Sequence, residues 1–367
     1  MRILFANENL HGHATMHLHL KNGLAAHPEI EPTFYLAPPP SLGHKLVAAP
    51  VPGLGRLDLD LQPLRDQLAK SYVARRHFER LEPRPDAFHM YTHNIALLSS
   101  KLMRDVPTVV SLDSTNRQNA YRIPRRKPTR FTPMMLPCTV HFERKVYAAA
   151  RKIVTHSRWT ADSVMTYGVP SSTIEVIPFG IEVPDAPATI AERNGDELPA
   201  IAFIGSSLAR KGGLRLLELW RSSLKERARL VLVTRDEVPS EPGLEVRTDI
   251  NPGDGQIHEV LRRCSIFVFP SDIDAFGYAV LEAMGWRLPV VAYDQGALPE
   301  LVDDGTTGFL VPPHDDAAFV RAVTKLLDDP QARRDMGNAG FARLQERFDA
   351  KLTTAALVDV LLSLRAA

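Results

Sequence analysis

Short apolar runs alternate with longer amphipathic stretches along almost the whole chain, and that alternation predicts strands separated by helices. In the first half, residues 2–6, 32–36, 87–91, 108–112, 152–155 and 174–177 read as strands, with helical periodicity at 14–26, 64–80 and 140–150 between them. Pro178-Phe179-Gly180 and an aperiodic stretch rich in Pro, Ala and charge, 183–199, interrupt the series. It then restarts, with strands at 200–204, 230–234, 244–246, 266–269, 289–292 and 308–310 and two or three helices after Asp315. Apolar strands linked by helices build parallel sheets covered on both faces, so each half is expected to be a Rossmann-like, doubly wound α/β domain. The expected division is a first domain at 1–180, a hinge at 181–199, a second domain at 200–348 and a terminal helix at 349–367. Ligands of such sheets bind beyond the carboxyl ends of the strands, which places the expected site in a central cleft faced by both domains. Pro38-Pro39-Pro40 and residues 50–55 predict a long irregular surface loop.

Composition narrows the class. With 367 residues, 44% hydrophobic and 24% charged, the chain is globular; disorder, collagen-like repeats and coiled coils are excluded for the whole. It has no run of about eighteen apolar residues, and Met1-Arg2-Ile3-Leu4-Phe5 lacks the layout of a signal peptide, so a cytoplasmic protein is expected. Cys138 and Cys264, far apart and without metal-like spacing, suit a reducing compartment. The net charge of +1 conceals an asymmetry: residues 1–180 carry 23 basic and 14 acidic side chains, and residues 181–367 carry 21 and 29.

Two segments carry candidate chemistry. After the strand at 266–269 come Ser271, Asp274, Phe276, Gly277 and Glu282, with a helix starting near Tyr278. A strand followed by a Gly-containing turn and a helix exposes backbone N–H groups to an anion. Acids beside such a site suit sugar hydroxyls, because a carboxylate accepts two hydrogen bonds from a vicinal diol; N-capping acids are the alternative. After the strand at 200–204 come Gly205, Ser206, Arg210, Lys211, Gly212 and Gly213. Glycines let backbone approach a ligand, and Arg210 with Lys211 would neutralise a diphosphate.

The order and spacing of Asp274-x7-Glu282, Leu288-Pro289-Val290-Val291-Ala292, Gly296-Ala297-Leu298-Pro299-Glu300 and Asp304-Gly305 through Pro313 resemble the C-terminal signature of family-4 retaining glycosyltransferases with the GT-B fold. Arg210-Lys211-Gly212 is similar to that family's diphosphate loop, and Ser157 to Gly180 to the segment ending its N-terminal domain. The resemblance covers roughly 150–345 well and 1–150 in outline. It implies a hexosyl-type transfer with retention from a UDP- or GDP-sugar to a hydroxyl acceptor, with no cofactor or metal required. Residue by residue, Glu282 would hold ribose hydroxyls and Asp274 hydroxyls of the transferred sugar. Phe276 and Gly277 would place N–H groups near the sugar or phosphates, Gly205 and Ser206 would line the donor loop, and Lys211 with Arg210 would neutralise the leaving diphosphate. The terminal helix would cross back to the first domain. The chain departs from the family in having Asp274 for a usual Glu, Ser206 where many members carry Arg, and Asp113 where many place a His. Asp113 would position a sugar hydroxyl or the acceptor nucleophile, or else cap the following turn.

The first half would bind the acceptor. His11, Gly12 and His13 follow the first strand, and Gly12 matches the family's Gly-rich turn there. His13 and His17 share a helical face at i, i+4, but without an HExxH pattern or nearby carboxylates an acceptor contact is the preferred reading over a metal site. His93, after the strand at 87–91, is a further candidate, with a surface histidine as the alternative. Arg117, Arg122, Arg125, Arg126, Lys127 and Arg130 stand in one stretch without an acid. They are solvated loop charges, or they draw an anionic acceptor or a membrane surface presenting one, which would put the protein peripherally at the inner face of a membrane. Nucleic acid is the weaker reading of the stretch, because it lacks interleaved aromatics apart from Tyr121 and no nucleic-acid-binding motif accompanies it. Two other classes compete: a GT-B phosphorylase or epimerase, which has no use for a ribose-reading acid, and a degenerate member that binds sugar nucleotide without turnover.

Overall fold

The computed structural model describes residues 1–8, 13–120, 128–184, 198–250, 255–272 and 274–365, with backbone only for 13–15. It forms two compact units. One comprises Met1–Pro178 with Thr353–Ala367, the other Phe179–Leu352.

The first unit contains β1 (Arg2–Asn7), β2 (Glu31–Leu36), β3 (Ala87–Tyr91), β4 (Thr108–Leu112), β5 (Lys152–Thr155) and β6 (Ile174–Val176). They pair in parallel in the order β2-β1-β3-β4-β5-β6. The central strands β3 and β4 are buried at every position, as expected where helices cover both faces. Leu4, Phe88, Met90, Val110 and Ile153 build the core on one face with Phe78, Val146 and Val164 from the helices. The helix starting at Ala350 meets the one at His13–Leu24 closely, since a Cβ at Gly23 would lie 2.4 Å from Thr354 Oγ1.

The second unit repeats the plan with β7 (Ala200–Ile204), β8 (Arg229–Val233), β9 (Leu244–Arg247), β10 (Ile266–Phe269), β11 (Val290–Tyr293) and β12 (Gly308–Val311). All pairs are parallel, in the order β12-β11-β10-β7-β8-β9. The chain winds outward from β7 through β8 to β9, then returns to β10 on the other side. The loops after β7 and β10 therefore diverge at the point where the winding reverses, which is where such sheets receive ligands.

Two local expectations change. The stretch between the proline clusters is not one irregular loop, because Ser41 caps a helix at Leu42–Ala48 by accepting from His44 N at 3.3 Å. The helix expected at 140–150 begins at Thr132, since Pro133 occupies its first turn, where no intrahelical N–H is needed. Residues 185–197 of the expected hinge lie outside the described residues.

Candidate functional site

In the second unit the loops after β7 and β10 lock together through glycines. Gly205 follows β7, and a Cβ there would approach the Phe203 ring to 2.8 Å and Lys211 Cβ to 3.0 Å. Gly212 has φ +76°, and its Cβ would lie 1.8 Å from the carbonyl oxygen of Pro270, just after β10. Only glycine meets both demands, left-handed backbone and backbone contact. Gly212→Ala should therefore push the two loops apart, at a cost of about 2 kcal/mol or more in urea unfolding. Unchanged stability with unchanged nucleotide affinity would refute that account.

This crossing brings together residues 63 positions apart in the chain. Lys211 Nζ donates to Asp274 Oδ2, with both side chains largely buried. Asp274 Oδ1 accepts from Phe276 N at 3.3 Å. The loop after β11 also grips Asp274, for Gly296 at φ +62° has no room for a Cβ, which would lie 2.5 Å from the Asp274 carbonyl oxygen. Arg210 reaches Ser206 Oγ at 3.3 Å and stays on the same short turn, Leu208–Lys211. Asp236 fixes that turn by accepting from Leu208 N at 2.6 Å.

Gly277, with φ +103°, opens the helix Tyr278–Gly285. Phe276 is buried edge-on against Phe179 at 4.9 Å, and Phe179 stacks on Tyr278 at 4.8 Å, so aromatic packing sets the angle of this turn. Glu282 lies one helical turn beyond Tyr278. Burial pushes its carboxyl up to about 7, and no hydrogen bond or ion pair among the described residues offsets that desolvation. The unit thus presents two cations, the carboxylate of Asp274 and two strand-end turns at one reversal point, with the carboxylate of Glu282 on the helix that leaves it.

The first unit places its candidates differently. Asp113, just after β4, accepts from Ser114 Oγ at 3.1 Å, while Thr160 Oγ1 donates to its carbonyl. It does not cap the next turn; Thr115 does, through a reciprocal capping box with Gln118. His93 is neither a surface histidine nor a side chain open to a ligand from solvent. It is 2% exposed, and its Nε2 lies 2.9 Å from Glu143 Oε1.

Glu143 had not been expected. Its fully buried carboxylate also accepts from Asn116 N at 2.9 Å, Tyr167 Oη at 2.7 Å and Tyr147 Oη at 3.3 Å. Burial and this carboxylate hold both phenols well above their ordinary range. The sequence signal was an acid among Val140, Val146 and Tyr147 on the core-facing side of a helix. His11, Gly12, Arg122, Arg125, Arg126 and Lys127 lie outside the described residues, as does the side chain of His13. Among the described residues no cluster of His, Cys, Asp and Glu is arranged to hold a metal ion, and no helix is long and apolar enough to cross a membrane.

Comparison with known proteins adds the decisive observation. Residues 12–184 match the model of Glycosyltransferase Family 4, and residues 190–343 that of Glycosyl transferases group 1. The chain belongs to glycosyltransferase family 4. The solved structures agree with the GT-B fold. Sucrose-phosphate synthase from Thermosynechococcus elongatus superposes with a TM-score of 0.76 at 17% identity, over 100% of this chain and 99% of its own. Anabaena HepE in complex with UDP gives 0.69 at 17% identity, over 99% and 100%. Among curated relatives, alpha-D-kanosaminyltransferase of Streptomyces kanamyceticus is 30% identical over 161 residues, 41% of this chain and 42% of that protein. Alpha-maltose-1-phosphate synthase of Mycolicibacterium smegmatis is 29% identical over 56% of this chain and 61% of its own. The chain thus matches less than two thirds of the length of these curated relatives.

Proposed function

We propose that this family 4 protein transfers a hexosyl group from a nucleoside diphosphate donor to a hydroxyl acceptor, with retention at the anomeric carbon. The observation that carries the reading is the Lys211–Asp274 pair at the winding reversal, with Arg210 on the same turn as Lys211. Lys211, assisted by Arg210, neutralises the diphosphate as it leaves, when negative charge there grows. The backbone at Gly205 and Ser206 lines the phosphate loop. Displaced from Lys211, Asp274 accepts hydroxyls of the transferred sugar, beside the N–H groups of Phe276 and Gly277. Glu282 accepts the ribose hydroxyls. The first unit binds the acceptor, with Asp113 positioning its hydroxyl, and its basic excess favours an acceptor that is anionic itself or presented on an anionic surface. Retention needs no protein nucleophile here: the departing phosphate takes the acceptor proton on the same face, and the protein supplies charge and orientation. UDP, seen with HepE, is the base form to test first.

Calorimetry with UDP-glucose and GDP-mannose tests the donor site. One of them should bind, and Glu282→Ala should weaken it about tenfold to a hundredfold, as expected for losing hydrogen bonds to a charged acceptor. Absence of binding by any nucleotide sugar would remove the donor assignment; binding without donor turnover would leave a sugar-nucleotide binder.

The raised carboxyl of Glu282 adds a pH signature. Protonation near pH 7 consumes a lone pair that a ribose hydroxyl needs. Donor affinity should therefore rise with pH through that point, with proton release on binding, and Glu282→Gln should flatten the profile. An unaltered profile in Glu282→Gln would show that another group titrates.

A further inference from the structure

Exposed apolar side chains are unevenly spread over the described residues. Leu42, Leu46, Val47, Val51, Leu54 and Leu57 all fall between positions 42 and 57 of the first unit. Leu42 is 76% and Leu46 70% exposed, and they stand one turn apart on the helix Leu42–Ala48.

Polar contacts, not these leucines, hold the segment. On the other side of the helix His44 is buried, its Nε2 2.8 Å from Asp66 Oδ1. Arg65 donates to the carbonyl oxygens of Val47 and, at 2.8 Å, Ala49. Asp60 accepts from Val51 N at 3.0 Å, and Thr129 Oγ1 donates to Leu57 O at 2.8 Å. A surface segment ordinarily buries its leucines and solvates its polar groups. This one does the reverse, so its apolar side chains are held out toward solvent.

Its charges are sorted in the same way. Asp60 is buried beside Arg65, Asp58 accepts from Thr132 Oγ1, and Asp66 is shared by His44 and Lys70. Lys45 and Arg56 are exposed and form no ion pair among the described residues. Arg130, next to the Thr129 that bonds Leu57, is exposed as well.

We infer that residues 42–57 dock on an anionic membrane surface. The leucines enter the boundary between headgroups and acyl chains, and Lys45, Arg56 and Arg130 lie among lipid phosphates. A bilayer needs no matching shape and accepts scattered apolar side chains, whereas a protein partner would need a complementary contour and acids facing these cations. The inference stands apart from the donor reading, since none of these residues belongs to the second unit.

The test is flotation of the full chain with vesicles of phosphatidylcholine alone or mixed with phosphatidylglycerol. The wild type should float with the mixed vesicles, less so as salt rises, and stay behind with phosphatidylcholine alone. Leu42→Ser with Leu46→Ser should weaken binding about tenfold or more, and each of Lys45→Gln and Arg56→Gln about fivefold. Calorimetry with UDP-glucose on the same variants should be unchanged, so loss of either property is told apart from loss of the other. The proposal is overturned if the wild type does not float, if the charge and leucine variants float as well as it does, or if the leucine variants change its oligomeric state instead.

Discussion

Lys211→Ala is expected to lower the turnover number for donor consumption, read as released UDP, by about a hundred- to a thousand-fold, the scale of removing a preorganised charge from a developing anion. The argument rests on where Lys211 sits. Its ammonium is held between Asp274 and the face of Phe269, whose ring centroid lies 5.8 Å away, in a largely buried position on a loop pinned by Gly212. On the donor reading proposed above, little reorganisation is then needed for a diphosphate to take it from Asp274. Removing it also leaves Asp274 facing the diphosphate uncompensated, so donor affinity should fall together with turnover. Asp274→Asn in the Lys211→Ala background should recover part of the affinity and little of the turnover, a coupling that a double-mutant cycle reads directly. A turnover number within a few-fold of wild type for Lys211→Ala would remove Lys211 from the reaction.

The second large effect is on stability. Glu143→Ala should destabilise the first unit by about 3–5 kcal/mol, because it strands the donors now facing that carboxylate inside the protein. Those donors come from the turn after β3, the turn after β4 and the residues following the helix Arg158–Met165, so one carboxylate ties together several strand-end segments. Glu143→Gln preserves the shape and should cost less, since the tyrosine hydroxyls can rotate to accept from its amide. Urea unfolding followed by Trp159, which lies in the first unit, should show the loss, while the transition reported by Trp220 in the second stays in place. Equal shifts at both tryptophans would mean that the units unfold together.

The strands and their parallel linkage were legible because buried parallel strands write themselves as short apolar runs. The family was legible because the segment from Asp274 to Pro313 keeps its order and spacing. What escaped depends on strand order. The contact of Lys211 with Asp274 requires β7 and β10 to be neighbours, and no local pattern states that. His93 reads in the sequence as a strand-end acceptor contact, with a surface histidine as the alternative, because its partner, Glu143, arrives from a helix fifty positions later. The helix Leu42–Ala48 was hidden by the prolines around it, although Ser41 stood as a visible cap.

The first unit is assembled from two separated pieces of chain, Met1–Pro178 and Thr353–Ala367, whereas Phe179–Leu352 is continuous. On a ribosome the continuous unit has all its strands before the last piece of the other is made. The first unit must wait for the segment that seats Thr354 against Gly23, on the order of ten seconds or more at ordinary rates of synthesis. During that interval the contact of Gly23 with Thr354 cannot form, so the first unit completes its packing only after the second has been synthesised.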